Sequence, residues 1–186
     1  MATQPEMVTL EEAKEQVRIV SEMLGELHIA YARTIVREMG MEEGKKLVLK
    51  AIRELGRLSI QKLKDQLQAE GREPTLENRR SVNRFKYYGM LERQEQVTVE
   101  GERRWRAYGC AMGKVWRELG EVELGHLMCY VDPLSMMAFD PEYTNRHEKL
   151  LCPDGYCEGV VRKTTEQERQ AFASEDGDLL DLDYHL

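Results

Sequence analysis

The fold is decided by the stretch AYGCAMGKVWRELGEVELGHLMCYVDPLSMMAFDPEYTNRHEKLLCPDGYC, residues Ala107–Cys157. Helical patterns and one hairpin come before it, and a short acidic tail follows it. We expect the functional site here, because the stretch holds all four cysteines of the chain and two of its four histidines: Cys110, Cys129, Cys152, Cys157, His126 and His147.

Short apolar repeats and turn residues divide this stretch into small elements. Apolar residues at helical spacing predict a helix that ends at Gly120. The dipeptide Asp132-Pro133 favours the start of another helix. The predicted elements are helices at Ala111–Leu119, Glu123–Cys129 and Leu134–Phe139, then strands at Tyr143–Leu151 and Tyr156–Lys163 around a turn at Cys152–Gly155.

The segment before the stretch predicts a β-hairpin. Residues alternate in polarity over Gln94–Val99 and again over Arg103–Tyr108, with Glu100-Gly101 between the two runs. An acidic residue followed by glycine between two alternating runs is typical of a tight hairpin turn.

Two long helices are predicted at the start of the chain. The first begins at Thr9, which stands in a capping-box relation to Glu12, and ends at Gly40; the second covers about residues 42–70. We expect His28 to be a core residue of the first helix. Apolar residues at three- and four-residue steps predict its buried stripe: Val17, Val20, Leu24, Leu27, Tyr31, Ile35 and Met39.

Further apolar residues lie on the first helix outside that stripe, namely Val8, Leu10, Ile19 and Met23. A helix that is apolar on more than one side needs a second surface to bury. We therefore expect a homodimer.

The order of these elements predicts the α+β fold class. Helices of residues 1–70 would form a scaffold packed on an antiparallel sheet, which the two β-hairpins build within residues 71–163. Residues 164–186 form a tail with seven acidic residues and one arginine. We expect this tail to be mobile or to dock at the periphery.

Composition restricts the class of protein. No apolar run approaches the roughly 20 residues of a membrane span, and the N-terminus is acidic where a signal peptide is basic and then apolar. The four cysteines are therefore expected to stay reduced in the cytoplasm. The net charge of −7 argues against a general polyanion binder, although most of the excess lies in the tail.

A DNA-binding alternative rests on the basic segment before the hairpin. Arg79, Arg80, Arg84 and Lys86 lie on a predicted helix, and the hairpin would then be the wing of a winged helix. The preceding helix lacks a short turn, and the hairpin continues into the cysteine region without a linker. We therefore expect no specific binding of nucleic acid.

The cysteines allow three interpretations. Cys110 directly precedes a predicted helix, and the N-terminus of a helix favours a thiolate. Cys129 lies three residues before Asp132, so a carboxylate could lie close to its thiol. With His147 as general base, these residues would form a thiol active site. A zinc ion would instead be held by all four cysteines, Cys110, Cys129, Cys152 and Cys157, or by three of them and a histidine. Each cysteine alone can also be a small buried hydrophobe. We expect no cofactor, with zinc as the alternative.

Spaced residues of this region resemble the L-2-amino-thiazoline-4-carboxylic acid hydrolase family. They are, in order, Cys110, Trp116-Arg-Glu-Leu-Gly120, Leu124-Gly-His-Leu-Met-Cys129-Tyr-Val-Asp132, Ala138-Phe-Asp-Pro141, Leu150-Leu and Asp154-Gly-Tyr-Cys157. The resemblance covers most of residues 25–163. Ala111 and Asp140 stand where the family usually has proline and asparagine.

The resemblance implies a cleft for a small molecule and a hydrolase that opens a C–N bond of a cyclic amidine or thiazoline carboxylate. The family is in turn distantly similar to the small-ligand sensor domains called 4-vinyl reductase domains, so a sensor is the alternative. The catalytic candidates are Cys110, Cys129, Asp132 and His147. The substrate-binding candidates are Trp116, Cys157 and the cations Arg146 and Lys149, either of which would hold the ring carboxylate.

Overall fold

The computed structural model describes residues 7–82, 87–150 and 155–183, apart from the side chain of Arg80. The first two elements of the chain are long helices, as predicted: α1 (Leu10–Met39) and α2 (Met41–Ala69). The capping box at the start of α1 is confirmed, because the Glu12 backbone N–H donates to Thr9 and the Glu12 carboxylate accepts from the Thr9 backbone. Gly40, at φ 84°, separates the two helices.

Four antiparallel strands form one sheet in the order β1-β2-β4-β3. They are β1 (Arg93–Val99), β2 (Glu102–Tyr108), β3 (Tyr143–Lys149) and β4 (Tyr156–Lys163). The predicted turn between β1 and β2 is confirmed, with positive φ at both Glu100 and Gly101, as in a type I′ hairpin. Helices packed with two paired hairpins make this an α+β protein, the predicted fold class.

Short helices connect and cover the sheet. Asp132-Pro133 does lie in the first turn of a helix, but that helix begins at Val131, three residues before the predicted start. A 3₁₀ turn, Leu127–Tyr130, leads directly into it. The short helices are α3 (Leu76–Val82), α4 (Ala111–Glu118), α5 (Val122–His126), α6 (Val131–Phe139) and α7 (Glu166–Ala173).

The side of α1 that faces the core is not the predicted one. Its buried residues are Ser21, Gly25, His28, Ile29 and Ala32, while the predicted stripe from Val17 to Tyr31 is exposed. The reason is close packing, because a Cβ added at Gly25 would lie 3.2 Å from the Cα of Met112 in α4. Small residues on the buried side let α4 approach, which a count of apolar side chains does not detect.

The acidic tail is part of the core, which corrects the expectation that it is mobile or peripheral. Phe172, Leu179 and Leu182 belong to the main apolar cluster, together with residues of α1, α2, α4 and α6. The Tyr130 hydroxyl donates to the Leu180 carbonyl at 2.8 Å, and Arg53 of α2, which is 2% exposed, donates to the Ser174 carbonyl at 2.7 Å. Among the described helices, none has the length and apolar character that crossing a bilayer requires.

Replacing Leu182 by alanine should lower the free energy of unfolding by about 2–5 kcal/mol, because the change leaves a cavity in a packed core. Leu182 is 1% exposed. Leu180→Ala, at a half-buried position of the same turn, is the control and should cost less. Urea unfolding followed by circular dichroism measures both, and a loss below about 1 kcal/mol for Leu182→Ala would contradict a structural role for the tail.

Candidate functional site

A cavity of about 460 Å³ lies between one face of the sheet and the helices α3, α4 and α6. Six of the predicted site residues line it, namely Cys110, Trp116, Cys129, Asp132, His147 and Cys157. Two other clefts of comparable size are lined largely by charged surface side chains. Three cysteines, the aspartate and one histidine of the stretch Ala107–Cys157 thus meet in one pocket.

Strand register explains why the sheet presents these residues together. Trp105 of β2 lies opposite Gly159 of β4, which lies opposite His147 of β3. A Cβ at Gly159 would come within 2.3 Å of the Trp105 ring, so this glycine lets the indole lie across β4. The indole then contacts the His147 ring edge-on, with centroids 5.2 Å apart, and donates its Nε1–H to Asn145 Oδ1 at 2.8 Å.

Asp183, from the acidic tail, holds His147 in place. The Nδ1–H of His147 donates to Asp183 Oδ2 at 2.8 Å, and the backbone N–H of His147 donates to Asp183 Oδ1 at 2.7 Å. Asp183 is 0% exposed and His147 is 3% exposed. With Nδ1 engaged, the other ring nitrogen, Nε2, lies 3.6 Å from Asp132 Oδ2. His147 is therefore a fixed imidazole between two carboxylates.

These carboxylates set the charge of His147. Burial by itself lowers the pKa of His147, but the charge of Asp183, its hydrogen bond and the charge of Asp132 together raise that pKa above 6.5. Burial raises the pKa of Asp132, and the charge of His147 opposes this shift. The Asp132 side chain is 37% accessible, as expected for a group that faces a cavity.

The three described cysteines, Cys110, Cys129 and Cys157, lie on the cavity wall, and Cys110 and Cys129 are free thiols. Burial raises the pKa of Cys129 well above 9.0. Burial also raises the pKa of Cys110, and the backbone N–H groups of Gly113 and Met112 oppose this shift without reversing it. The thiolate expected at the start of α4 is therefore disfavoured, because desolvation outweighs the helix terminus.

The zinc alternative gains no support from the described part of the chain. Within residues 7–82, 87–150 and 155–183, no group of three histidine, cysteine, aspartate or glutamate side chains could hold a metal ion. Cys152, the fourth ligand in that interpretation, lies outside the described residues.

Two buried aromatic groups, one of which lines the cavity, pack against each other. Trp116 is 1% exposed, and a Cβ at Gly125 would lie 2.3 Å from its ring, so only glycine fits there. His126 contacts Trp116 edge-on at 6.2 Å, and within the described residues neither of its ring nitrogens has a hydrogen-bond partner. Burial lowers the pKa of His126 to about 4. His126 is thus a neutral packing residue.

The predicted carboxylate-binding cations point away from the cavity. Arg146 pairs with Val160, on the opposite face of the sheet from His147. A register shift after His147 places Lys149 opposite Glu158, on that same far face, where it donates to the Tyr156 hydroxyl at 3.1 Å. Strict alternation would have put Lys149 beside His147, and the irregularity reverses its direction.

Arg79, Asp183, Trp105 and Asn145 are site residues that the sequence analysis did not assign to the cavity. Arg79 was placed on a DNA-binding helix, yet it lines the cavity with its guanidinium 5.8 Å from the centroid of the Phe139 ring. The first hairpin is built into the sheet, since β2 pairs with β4, as the α+β prediction has it and unlike the wing of the DNA-binding alternative. Arg84 and Lys86 lie outside the described residues.

The fold and the cavity define a class, an α+β protein with an aspartate–histidine pair facing a pocket. The model of the L-2-amino-thiazoline-4-carboxylic acid hydrolase family matches residues 18–158, which is most of the chain, and the protein belongs to that family. Neither a curated protein nor a solved structure matches it. Asp183 lies beyond the matched segment.

An NMR titration of the histidine rings tests the electrostatics of the site. We expect His147 to titrate above 6.5, His28 below 6.5 and His126 near 4. Histidine-to-glutamine variants would assign the signals. Asp183→Asn should lower the pKa of His147 because it removes the carboxylate charge, and a wild-type pKa of His147 below 6.5 would contradict the described geometry.

Proposed function

We propose that the protein hydrolyses a small cyclic amidine carboxylate of the 2-amino-thiazoline type by opening a ring C–N bond in this cavity. The observation that carries the proposal is the pair formed by Asp132 and His147, with Nε2 and Oδ2 3.6 Å apart and His147 held by Asp183. The raised pKa of His147 favours an imidazolium beside a carboxylate. Such a pair supplies an acid and a base to one substrate.

In the first step the Asp132 carboxylate removes a proton from water as the water oxygen bonds to the carbon between sulfur and the two nitrogens. The His147 imidazolium protonates the ring nitrogen at the same time, so the C=N double bond becomes a single bond. A tetrahedral carbon results, which carries a hydroxyl group.

In the second step the C–N bond breaks and a carbonyl forms. The hydroxyl proton passes to His147, and the proton on Asp132 passes to the departing ring nitrogen. The nitrogen thus gains one proton from His147 in the first step and one water proton through Asp132 in the second, and becomes a primary amine. The other water proton restores the imidazolium of His147, so both side chains regain their starting charges.

The substrate carboxylate needs a cation, and we propose Arg79. Arg79 lines the cavity, and its positive charge acts on Asp132, whose pKa it lowers against the larger effect of burial. A guanidinium can hold a carboxylate through two parallel charge-assisted hydrogen bonds. This assignment replaces Arg146 and Lys149, which lie on the other face of the sheet.

Turnover of 2-amino-thiazoline-4-carboxylate by purified protein tests the proposal. His147→Gln and Asp132→Asn should each lower kcat by about 100- to 10,000-fold, the usual contribution of an acid or base. Arg79→Gln should raise KM, whereas Lys149→Gln is the matched control and should change neither constant. Absence of turnover in the wild type, with binding retained, would favour the ligand sensor over the hydrolase.

The pH dependence follows from the two roles. Activity should fall at low pH as Asp132 becomes protonated, with a midpoint above 3.8, and fall at high pH as His147 loses its proton, with a midpoint above 6.5. Asp183 is a positioning residue in this scheme, so Asp183→Asn should shift the high-pH midpoint downward. An unchanged high-pH midpoint in Asp183→Asn would remove His147 as the acid.

A thiol nucleophile is the competing mechanism for the same reaction. The raised pKa values of Cys110 and Cys129 favour water as the nucleophile, so Cys110→Ser and Cys129→Ser should each retain kcat within about tenfold. If one of these variants folds normally and loses activity by orders of magnitude, covalent catalysis by that thiol replaces the water mechanism.

A further inference from the structure

The cavity that holds Asp132 and His147 is larger than the ring proposed to react there. Its volume is about 460 Å³, and pockets of roughly 300–1,000 Å³ bury drug-sized ligands. The parent 2-amino-thiazoline-4-carboxylate is a single five-membered ring with an amino group and a carboxylate. Such a ring, placed at Asp132 and His147, leaves much of the cavity unfilled. The residues around the remaining space indicate what else the substrate carries.

Hydrogen-bonding side chains come from the sheet. Asn145 lies two residues before His147, so both side chains lie on the same face of β3. The indole N–H of Trp105 donates to Asn145 Oδ1 at 2.8 Å, and since an indole only donates, the amide nitrogen of Asn145 is left to donate to a ligand. Gln96 of β1 is oriented in the same way, because Arg103 Nε donates to its Oε1 at 3.2 Å. The sheet thus offers N–H donors to the polar end of a substrate.

The opposite side of the cavity is apolar and rich in methionine. Met136 follows Asp132 by one turn of α6, a spacing that places Cβ atoms about 5–6 Å apart, so the apolar surface begins beside the carboxylate. Methionine is flexible and polarisable, and it contacts aromatic rings favourably. We call this surface the methionine wall, which consists of Met90, Met112, Met128 and Met136.

Apolar surface of the cavity remains accessible. Met90, Met112 and Met128 are only half-buried, and Val161, which lines the cavity from β4, is 38% exposed. Apolar surface that stays accessible inside a pocket marks the place of an apolar ligand group. A ligand limited to the thiazoline ring would leave this surface in contact with water.

We propose that the substrate is a 2-amino-thiazoline-4-carboxylate with a bulky apolar group, of about the size of a benzyl group, on the saturated ring carbon next to sulfur. The reacting carbon lies at Asp132 and His147, and the apolar group lies against the methionine wall. This inference rests on the proposed function for the position of the ring. The size and apolar character of the added group rest on the cavity alone.

Two ligands that differ only in this group test the inference, namely 2-amino-thiazoline-4-carboxylate and its 5-benzyl derivative. Calorimetry on the Asp132→Asn variant, in which the proposed reaction is slowed, measures both dissociation constants. We expect the benzyl derivative to bind at least about tenfold more tightly, since one methylene in an apolar pocket already changes recognition by about 10- to 200-fold. With the wild type, kcat/KM should favour the benzyl derivative by a similar factor.

Substitutions in the methionine wall test where the apolar group lies. Met90→Gln and Met128→Gln should each lower the preference for the benzyl derivative at least about threefold, because a polar amide of similar shape replaces an apolar contact. Met41→Gln, at an exposed position of α2 outside the cavity lining, is the matched control and should leave the preference unchanged. Binding of the parent compound by each variant shows that the site is folded.

Equal or weaker binding of the benzyl derivative would overturn this inference, while turnover of the parent compound would still support the hydrolase. An unchanged preference in both Met90→Gln and Met128→Gln would overturn it as well. Tighter binding of the benzyl derivative without turnover of either compound would support the inference about the ligand and overturn the proposed hydrolysis. Binding of neither compound would overturn both.

Discussion

The contact between His147 and Asp183 is the constraint on which the site depends. Asp183 accepts two hydrogen bonds from His147, one from the ring and one from the backbone of the edge strand β3. This contact fixes the imidazole and also joins the acidic tail to the sheet, while Leu179 and Leu182 anchor the same tail segment in the main core. Burying a carboxylate without partners costs free energy. The position of the tail, the position of strand β3 and the charge of His147 therefore depend on one another.

Local patterns predicted most of the fold. The capping box at Thr9, the glycine at Gly40 and the Glu100-Gly101 turn fix elements through neighbouring residues, and the structure has these elements where the sequence predicts them. The sequence analysis also named Asp132 and His147 of the cysteine-rich stretch as candidates, and both line one cavity. Each of these inferences needed only local spacing or recognition of the family.

The errors arose where distant parts of the chain decide the outcome. Nothing in the local sequence of the tail indicates that Asp183 reaches His147, which is 36 residues away. The register shift after His147 reverses the direction of Lys149, and regular alternation cannot predict an irregularity. The core-facing side of α1 was misassigned because Gly25 and Ala32 permit close packing, whereas the larger apolar residues lie on the exposed side of the helix.

The most direct test of this account is a double-mutant cycle of unfolding free energies with His147→Gln and Asp183→Asn. Since the folded-state pKa of His147 is raised, the charge interaction is fully present below pH 6.5 and is lost as the pH rises through that folded-state pKa. We expect a coupling of about 1.5–3 kcal/mol at pH 6 that becomes smaller at pH 9. Additive effects of the two substitutions at pH 6 would contradict the account.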